Sequence, residues 1–269
     1  MSTHRLSALA LALLGVLALG ACGFPAAPLT AHDTVEETRA LEPNGRFELE
    51  NVNGRINLTV GFENEVRIEA RRSAVSDEAL ERIRIEIDGE GDAVRVRTRY
   101  PRQKGWLMGG PRGKVDYDVT VPEGAQVRVK TVNGHVNVEG LAGDLRVESV
   151  NGGLELDDLG GEVRAKTVNG GIHASFDSTP SGGDHRFNTV NGGIEVSLPE
   201  GTSGQLEATT VNGSIDCDLP LEVETRKKRR LEGRLGPGGG SFRLGTVNGG
   251  IDVLRTMGRR SAEAEPETS

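Results

Sequence analysis

Apolar residues take every second place through most of the chain between residues 46 and 254, and the alternation breaks at one recurring tripeptide. Val-Asn-Gly occurs seven times, beginning at Val52, Val132, Val150, Val168, Val190, Val211 and Val247. Three residues before each Val stand Leu49, Val129, Val147, Ala165, Phe187, Ala208 and Leu244. Five before it stand Phe47, Val127, Leu145, Val163, His185, Leu206 and Phe242. Four after it come Ile56, Val136, Leu154, Ile172, Ile194, Ile215 and Ile251, and six after it Leu58, Val138, Leu156, Ala174, Val196, Cys217 and Val253. A period of two on both sides of a slip predicts strand, corner, strand in each unit. The slip requires a bend or bulge. Gly supplies the backbone freedom for it, and Asn tolerates left-handed dihedrals and hydrogen-bonds its own turn.

From Val132 onward the copies are 18, 18, 22, 21 and 36 residues apart. A period near 20 marks a solenoid, in which each short unit buries its apolar side only by stacking on the next. The predicted fold is all-β: a single-stranded β-solenoid, or β-helix, with rungs of about 18–22 residues and Val-Asn-Gly corners. In-register stacking predicts an asparagine ladder along one corner, formed by Asn53, Asn133, Asn151, Asn169, Asn191, Asn212 and Asn248. A β-propeller is the rival, since pairs of 18-residue steps match one blade. A two-sheet sandwich is a further one.

The first copy stands 80 residues before the second. The gap carries alternating segments at 65–70, 83–87, 93–100 and 115–121, with one or two helical turns from Ser76 to Arg82. Ser76 is the predicted N-cap, with Asp77 and Glu78 in the first turn. The predicted organisation is a signal peptide over 1–21, a lipidated Cys and flexible tether over 22–45, an irregular N-terminal part of the β domain over 46–126, the repeat solenoid over 127–254 and a disordered tail over 255–269.

Composition sharpens the picture. Gly makes up 38 of the 269 residues and aromatics only 3%, which predicts many tight turns around a narrow interior of Val, Ile, Leu and Ala. A short basic start with Arg5 and an apolar stretch from Leu6 to Leu19 lead into Leu19-Gly20-Ala21-Cys22, the pattern of a bacterial lipoprotein signal. Cys22 is the predicted lipid attachment site, carrying palmitate-type acyl chains at roughly 0.8 kcal/mol per buried methylene. The predicted location is exported and anchored in a bacterial membrane; Gly23, rather than Asp, favours the outer membrane in a Gram-negative cell. With Arg5 removed, 31 Lys and Arg face 40 Asp and Glu, a formal charge of −9 that argues against nucleic acid as a partner. Cys217 is then the only thiol left and cannot form an internal disulfide.

Candidate chemistry is sparse. His185 occupies an apolar register position and reads as a half-buried core residue. His135 and His173 fall at different offsets from the Val and share no metal face, so no metal is expected. Glu155, Glu195, Asp216 and Asp252 share one register position and read as a solvated acidic face rather than a calcium site. Cys217 reads as a small buried hydrophobe. The run from Arg226 to Arg230, with Arg229 and Arg230 at its end, reads as an edge-blocking hairpin that also offers a partner contact. Trp106, the only Trp, sits in a Gly-rich loop and is a second candidate contact. No nucleophile motif, phosphate loop, zinc spacing or dinucleotide fingerprint is present, so neither cofactor nor enzymatic activity is expected.

The Thr-Val-Asn-Gly-x-Ile repeats, the stretch Val121-Pro122-Glu123-Gly124, the basic segment from Arg226 to Arg234, and Gly238-Gly239-Gly240 before Thr246-Val247-Asn248-Gly249 resemble a known family. This is the putative-adhesin family of bacterial β-strand-repeat proteins (domain of unknown function 4097), here in lipoprotein form. The resemblance covers roughly residues 46–254. It implies a β-strand-repeat fold at the cell surface or in the envelope, and some relatives are linked to envelope-stress responses. The expected function is a lipid-anchored, non-enzymatic envelope protein acting as an adhesin-like or scaffold module. Its expected partners are the membrane through its anchor, and a surface glycan or an envelope protein. The alternatives are a carbohydrate-active β-helix enzyme, of lyase or hydrolase type, and an envelope-stress signalling accessory.

Overall fold

A computed structural model describes residues 28–61, 64–100, 113–180 and 182–256. The N-terminal part contains β1 (Ala31–Glu50), β2 (Ile56–Gly61), β3 (Glu65–Ala74), helix α1 (Asp77–Glu81), β4 (Arg84–Arg99) and β5 (Gly113–Pro122). Short strands follow in pairs: β6 (Gln126–Lys130) and β7 (Val136–Glu139), β8 (Leu145–Glu148) and β9 (Leu154–Asp157), β10 (Val163–Lys166) and β11 (Ile172–Ser175), β12 (Asp184–Asn188) and β13 (Ile194–Leu198). The last are β14 (Gly204–Asn212), β15 (Ile215–Cys217), β16 (Glu222–Lys227), β17 (Arg230–Gly236), β18 (Gly240–Asn248) and β19 (Ile251–Arg255). All 19 strands connect into one sheet.

The sheet resolves into two faces. One runs β4, β1, β6, β8, β10, β12, β18, β14, all parallel, and ends in the antiparallel strands β17 and β16. The other starts with antiparallel β1, β3 and β5, and continues in parallel through β2, β7, β9, β11, β13, β19 and β15. β1 belongs to both faces. Each Val-Asn-Gly corner passes the chain from the first face to the second. Alternation then sends one set of side chains inward and the other to solvent, at a rung spacing of about 4.8 Å. The arrangement is consistent with the expected solenoid.

Three expectations are corrected. The copy at Val247 does not stack after the one at Val211: β18 lies between β12 and β14, and β19 lies between β13 and β15. The segment 22–45, expected as a tether, is strand from Ala31, paired antiparallel with β3 from Ala31↔Ala74 to Ala40↔Glu65. Its side chains are mostly polar, so backbone pairing rather than apolar alternation makes it a strand. The part 46–126, expected as irregular, continues the stack directly, because Arg46–Glu50 pairs with Gln126–Lys130 and Asn53 with Asn133. Segments 83–87 and 93–100, expected as two strands, supply the two arms of β4, which folds back at positive-φ Gly89 and Gly91 so that Arg99 reaches Glu86.

The interior holds the predicted aliphatic rows, with Ile56, Val136, Leu154, Ile172, Ile194 and Ile251 all buried. Burying each such side chain is worth roughly 1.5–3 kcal/mol. The interior is not free of aromatics, however. Phe47, Phe176, Phe187, Phe242 and Tyr117 are among its largest fully buried side chains. Phe187 has room because Ala165 stands beside it in register, while Phe242 lies between His185 and Leu206 and stacks on the imidazole. Ser76 caps α1 as expected, its hydroxyl accepting the Ala79 N–H at 3.2 Å. The tail from 257 onward lies outside the described residues.

Candidate functional site: an arginine row and an asparagine corner

The strands of the first face all present an outward residue at the position four before the corner Val. In spatial order these are Glu48, Arg128, Arg146, Arg164, Arg186, Arg243 and Glu207. Five arginines are therefore collinear along the stack, about 4.8 Å apart, in a row roughly 19 Å long closed by a glutamate at each end. Like charges at that spacing repel by about 1 kcal/mol per pair even in water. Acids on the same strands offset part of this. Arg146 meets Glu148 at 2.7 Å and Arg164 meets Glu162 at 2.7 Å. Asp184 pairs with both Arg186 and Arg243.

These contacts move proton affinities. Hydrogen bonds from Arg186 and Ser241, together with the Arg243 charge, hold the Asp184 carboxyl down at about 2. Burial pushes Glu148 up, but the Arg146 hydrogen bond and neighbouring cations outweigh it and the net shift is downward. At the proximal end Glu48, Glu50 and Glu148 stand in register with Arg128 and Lys130 without closing an ion pair on them. Arg46, Arg128 and Lys130 have no ion pair among the described residues, and the Arg128 Nε–H is buried without a partner. Arg46, Glu48, Arg128, Asp144, Arg146 and Arg164 line an open groove there.

The opposite face carries the reverse charge. Asn137, Glu155, His173, Glu195, Asp252 and Asp216 stand in register. Glu155 is 3.1 Å from His135 and Glu195 is 3.8 Å from His173. Burial raises the Asp252 pKa, and the like charges of Asp216 and Glu195 add to the shift. Among the described residues, no group of three His, Cys, Asp or Glu is placed to hold a metal.

The seven asparagines meet along one corner. From Asn133 onward each Nδ2 donates to the Oδ1 of the asparagine before it in the stack, at 2.7 Å for Asn133 to Asn53 and at 2.8 Å for the other five steps. The order is 53, 133, 151, 169, 191, 248, 212. Beside it Val132, Val150, Val190, Val211 and Val247 stay exposed and form an aliphatic ridge. The Thr before the Val locks rungs together: Thr167 donates to the Gly152 carbonyl, Thr189 to Gly170, Thr246 to Gly192 and Thr210 to Gly249. The first Gly of each corner is demanded mainly by crowding. A Cβ on Gly192 would lie 2.0 Å from the Gly170 carbonyl oxygen, and one on Gly213 would lie 1.9 Å from that of Gly249.

The remaining sequence candidates are dispersed. Arg229 sits in the β16–β17 turn, where its carbonyl accepts the Thr210 N–H at 3.1 Å. Arg230 is held by Glu232 and Glu207. Arg226, Lys227, Lys228 and Arg229 have no ion pair among the described residues. Cys22 and Trp106 lie outside the described residues. Cys217, expected as a buried hydrophobe, is only half-buried, because β15 is the edge strand of its face. His185, expected as half-buried, is fully buried and stacks on Phe242 at 4.6 Å between centroids. The arginine row went unread in the sequence, although its signal was there: the same offset from Val is Arg in five of the seven copies.

The chain was compared with known proteins. A family model described as Toastrack DUF4097 matches residues 45–254. Crystal structures of three proteins, each named as putative, are similar to this chain, and the first shares its fold. A cell adhesion protein of Clostridium sporogenes ATCC 15579 superposes with a TM-score of 0.51 at 13% identity, covering 83% of this chain and 100% of that one. An adhesin of Bacteroides fragilis NCTC 9343 gives 0.32 at 9% identity, with 83% and 97% covered. A lipid binding protein of Parabacteroides distasonis ATCC 8503 gives 0.27 at 12% identity, with 83% and 94% covered. No curated protein matches. On the repeat, the rung register and the span of the match, the chain belongs to the Toastrack DUF4097 family.

Proposed function

We propose that this chain is a non-enzymatic β-solenoid of the bacterial envelope, lipid-anchored through Cys22, that works as an adhesin-like or scaffold binding module. The observation that carries the reading is repetition on the surface. Five successive rungs present Arg at one register position, and the corner presents Asn on every rung and an exposed Val on five of them. A surface of that kind meets an extended or repeating partner along its length, whereas a catalytic centre needs unlike groups converging on one point. The fold shared with the Clostridium cell adhesion protein agrees with the reading.

The test is binding of the purified full chain to whole envelopes and to arrayed glycans, beside a glycan-degradation screen. Saturable binding without turnover is the expected result, and specific turnover would overturn the reading. Fatty-acid labelling in cells tests the anchor. A Cys22→Ser chain should incorporate none, and label retained by that variant would remove the anchor from the proposal.

A further inference from the structure

We propose that the arginine row of the first face, with Arg46 in the neighbouring register beyond its proximal end, is a track for a linear anionic glycan bearing carboxylates or phosphates along its length. The inference rests on the reading of the chain as a binding module and names its surface and ligand class.

Three observations converge on it. The row is linear and rigid, because its five guanidinium groups are set by the register of parallel strands and not by loops. A polymer laid along the stack axis then meets a cation about every 4.8 Å. Guanidinium suits this role, since its planar fork takes carboxylate or phosphate oxygens two at a time.

The row is also narrow. Asp144, Glu162 and Asp184 run beside it in the adjacent register, so the positive strip is one residue wide on that side. A planar anionic bilayer pressed on this face would bring its headgroups against those carboxylates. A single chain lying along the arginines would not.

Finally, the row is prepared and unsatisfied. Arg243 is held by both Asp184 and Glu207, but Arg146 and Arg186 are each held by one acid. Glu148 takes Nε and Nη2 of Arg146, and Asp184 takes Nε and Nη2 of Arg186, which leaves each Nη1 without a protein partner among the described residues. Arg46 and Arg128 have no ion pair, and the buried Arg128 Nε–H lacks any acceptor. A buried donor of that kind costs stability until something accepts from it. An anion in the groove lined by Arg46 and Arg128 meets two guanidinium groups that no protein carboxylate holds in an ion pair among the described residues.

The experiment uses the full chain with Cys22→Ser, so that no lipid anchor confuses the readout. Binding is measured by calorimetry to polygalacturonate, to poly(glycerol phosphate), to neutral dextran of equal length and to phosphatidylglycerol vesicles. The expected result is binding to one or both anionic polymers, none to dextran, and affinity that falls steeply as salt rises. The double substitution Arg46→Gln and Arg128→Gln removes no ion pair and should weaken polymer binding at least about tenfold. Arg226→Gln with Lys228→Gln makes the same charge change on the distal hairpin and should leave affinity within about twofold.

Equal losses in the two double variants would overturn the track, as would binding to vesicles but to neither polymer. Absence of binding to both polymers, while the same protein still binds whole envelopes, would overturn the track and leave the binding-module reading standing. Shortening of a polymer during the titration would overturn the non-enzymatic reading instead. Arg128→Lys, which keeps the charge but not the fork, should recover part of the loss. Full recovery by the lysine would overturn the two-point contact assigned to the guanidinium fork.

Discussion

The Nδ1 of His185 accepts the backbone N–H of Val163 at 3.3 Å, in the place where neighbouring rungs use a carbonyl. Leu145 N–H donates to the Glu162 carbonyl one rung earlier, and Val127 N–H to that of Asp144. The rung containing β12 arrives through Gly182 and Gly183, both at positive φ, and its regular pairing with β10 starts only at Arg164↔Arg186. The imidazole therefore patches one rung of the main-chain ladder. Because Nδ1 accepts, the proton sits on Nε2 and is donated to the Gly182 carbonyl at 3.1 Å.

Acid should break this patch. Burial lowers the His185 pKa below its ordinary 6.5, against the smaller opposing pull of the Gly182 carbonyl and nearby acids. Below pH 6.5 the unfolded chain takes a proton that the folded chain refuses, so stability should fall as pH drops through that value. His185→Phe, matching Phe242 in register, should remove that slope while costing about 1–3 kcal/mol at neutral pH for the orphaned Val163 N–H. Urea midpoints between pH 7.5 and 5 would show it. An unchanged slope in the variant would assign the acid sensitivity elsewhere.

Asp184 governs a lower window. Its carboxyl sits at about 2 in the folded chain against 3.8 ordinarily, so its contribution is complete above 3.8 and disappears as pH falls toward 2. Asp184→Asn should flatten stability across that window and leave Arg186 and Arg243 without their acid. Denaturant midpoints at pH 4.5 and 3 compare the two chains directly.

The asparagine corner predicts a positional effect. Asn169 shares amide hydrogen bonds with both Asn151 and Asn191, whereas Asn212 ends the ladder with one bond to Asn248. At about 0.5–1.5 kcal/mol per bond, Asn169→Ala should cost roughly twice what Asn212→Ala does. Equal thermal shifts in the two variants would mean that the exposed amides contribute little.

Adjacent glycines separate crowding from flexibility. A Cβ on Gly192 would lie 2.0 Å from the Gly170 oxygen, but on Gly193 its nearest neighbour is the Gly250 oxygen at 3.5 Å. Gly192→Ala should lose on the order of 3 kcal/mol or more, and Gly193→Ala well under 1. Calorimetric melting of both settles the comparison, and similar losses would contradict it.

The corners and their ladder were readable because the repeat fixes the side of every residue, and in-register stacking follows once each unit has an apolar side to bury. Three features lay beyond that logic. The strand nature of 31–45 depends on hydrogen bonds to β3, which a polar run such as Thr34 to Arg39 does not advertise. The choice of Phe at 176, 187 and 242 against Ala at 165 and 174 is a matter of volume between neighbours, invisible until the neighbours are known. The place of β18 is a choice among rungs with nearly equal corners, and no local signal in Thr246-Val247-Asn248-Gly249 names its partners. The arginine row differs from these, since it was present at a constant offset and required only that outward positions be read with the same attention as inward ones.

The insertion of β18 and β19 gives the chain a folding order that translation cannot follow. The rung from 204 to 217 and the β16–β17 hairpin leave the ribosome first, yet their place on the body is filled only by the segment from 240 to 255. Until that segment arrives, the distal unit has nothing to sit on except the surface the newcomer will occupy. The last strands thus act as a bolt driven through a finished frame. Cutting the chain before Gly240 would release the whole distal unit instead of trimming one rung, and a polypeptide paused at that point in synthesis would expose two unmatched strand edges at once.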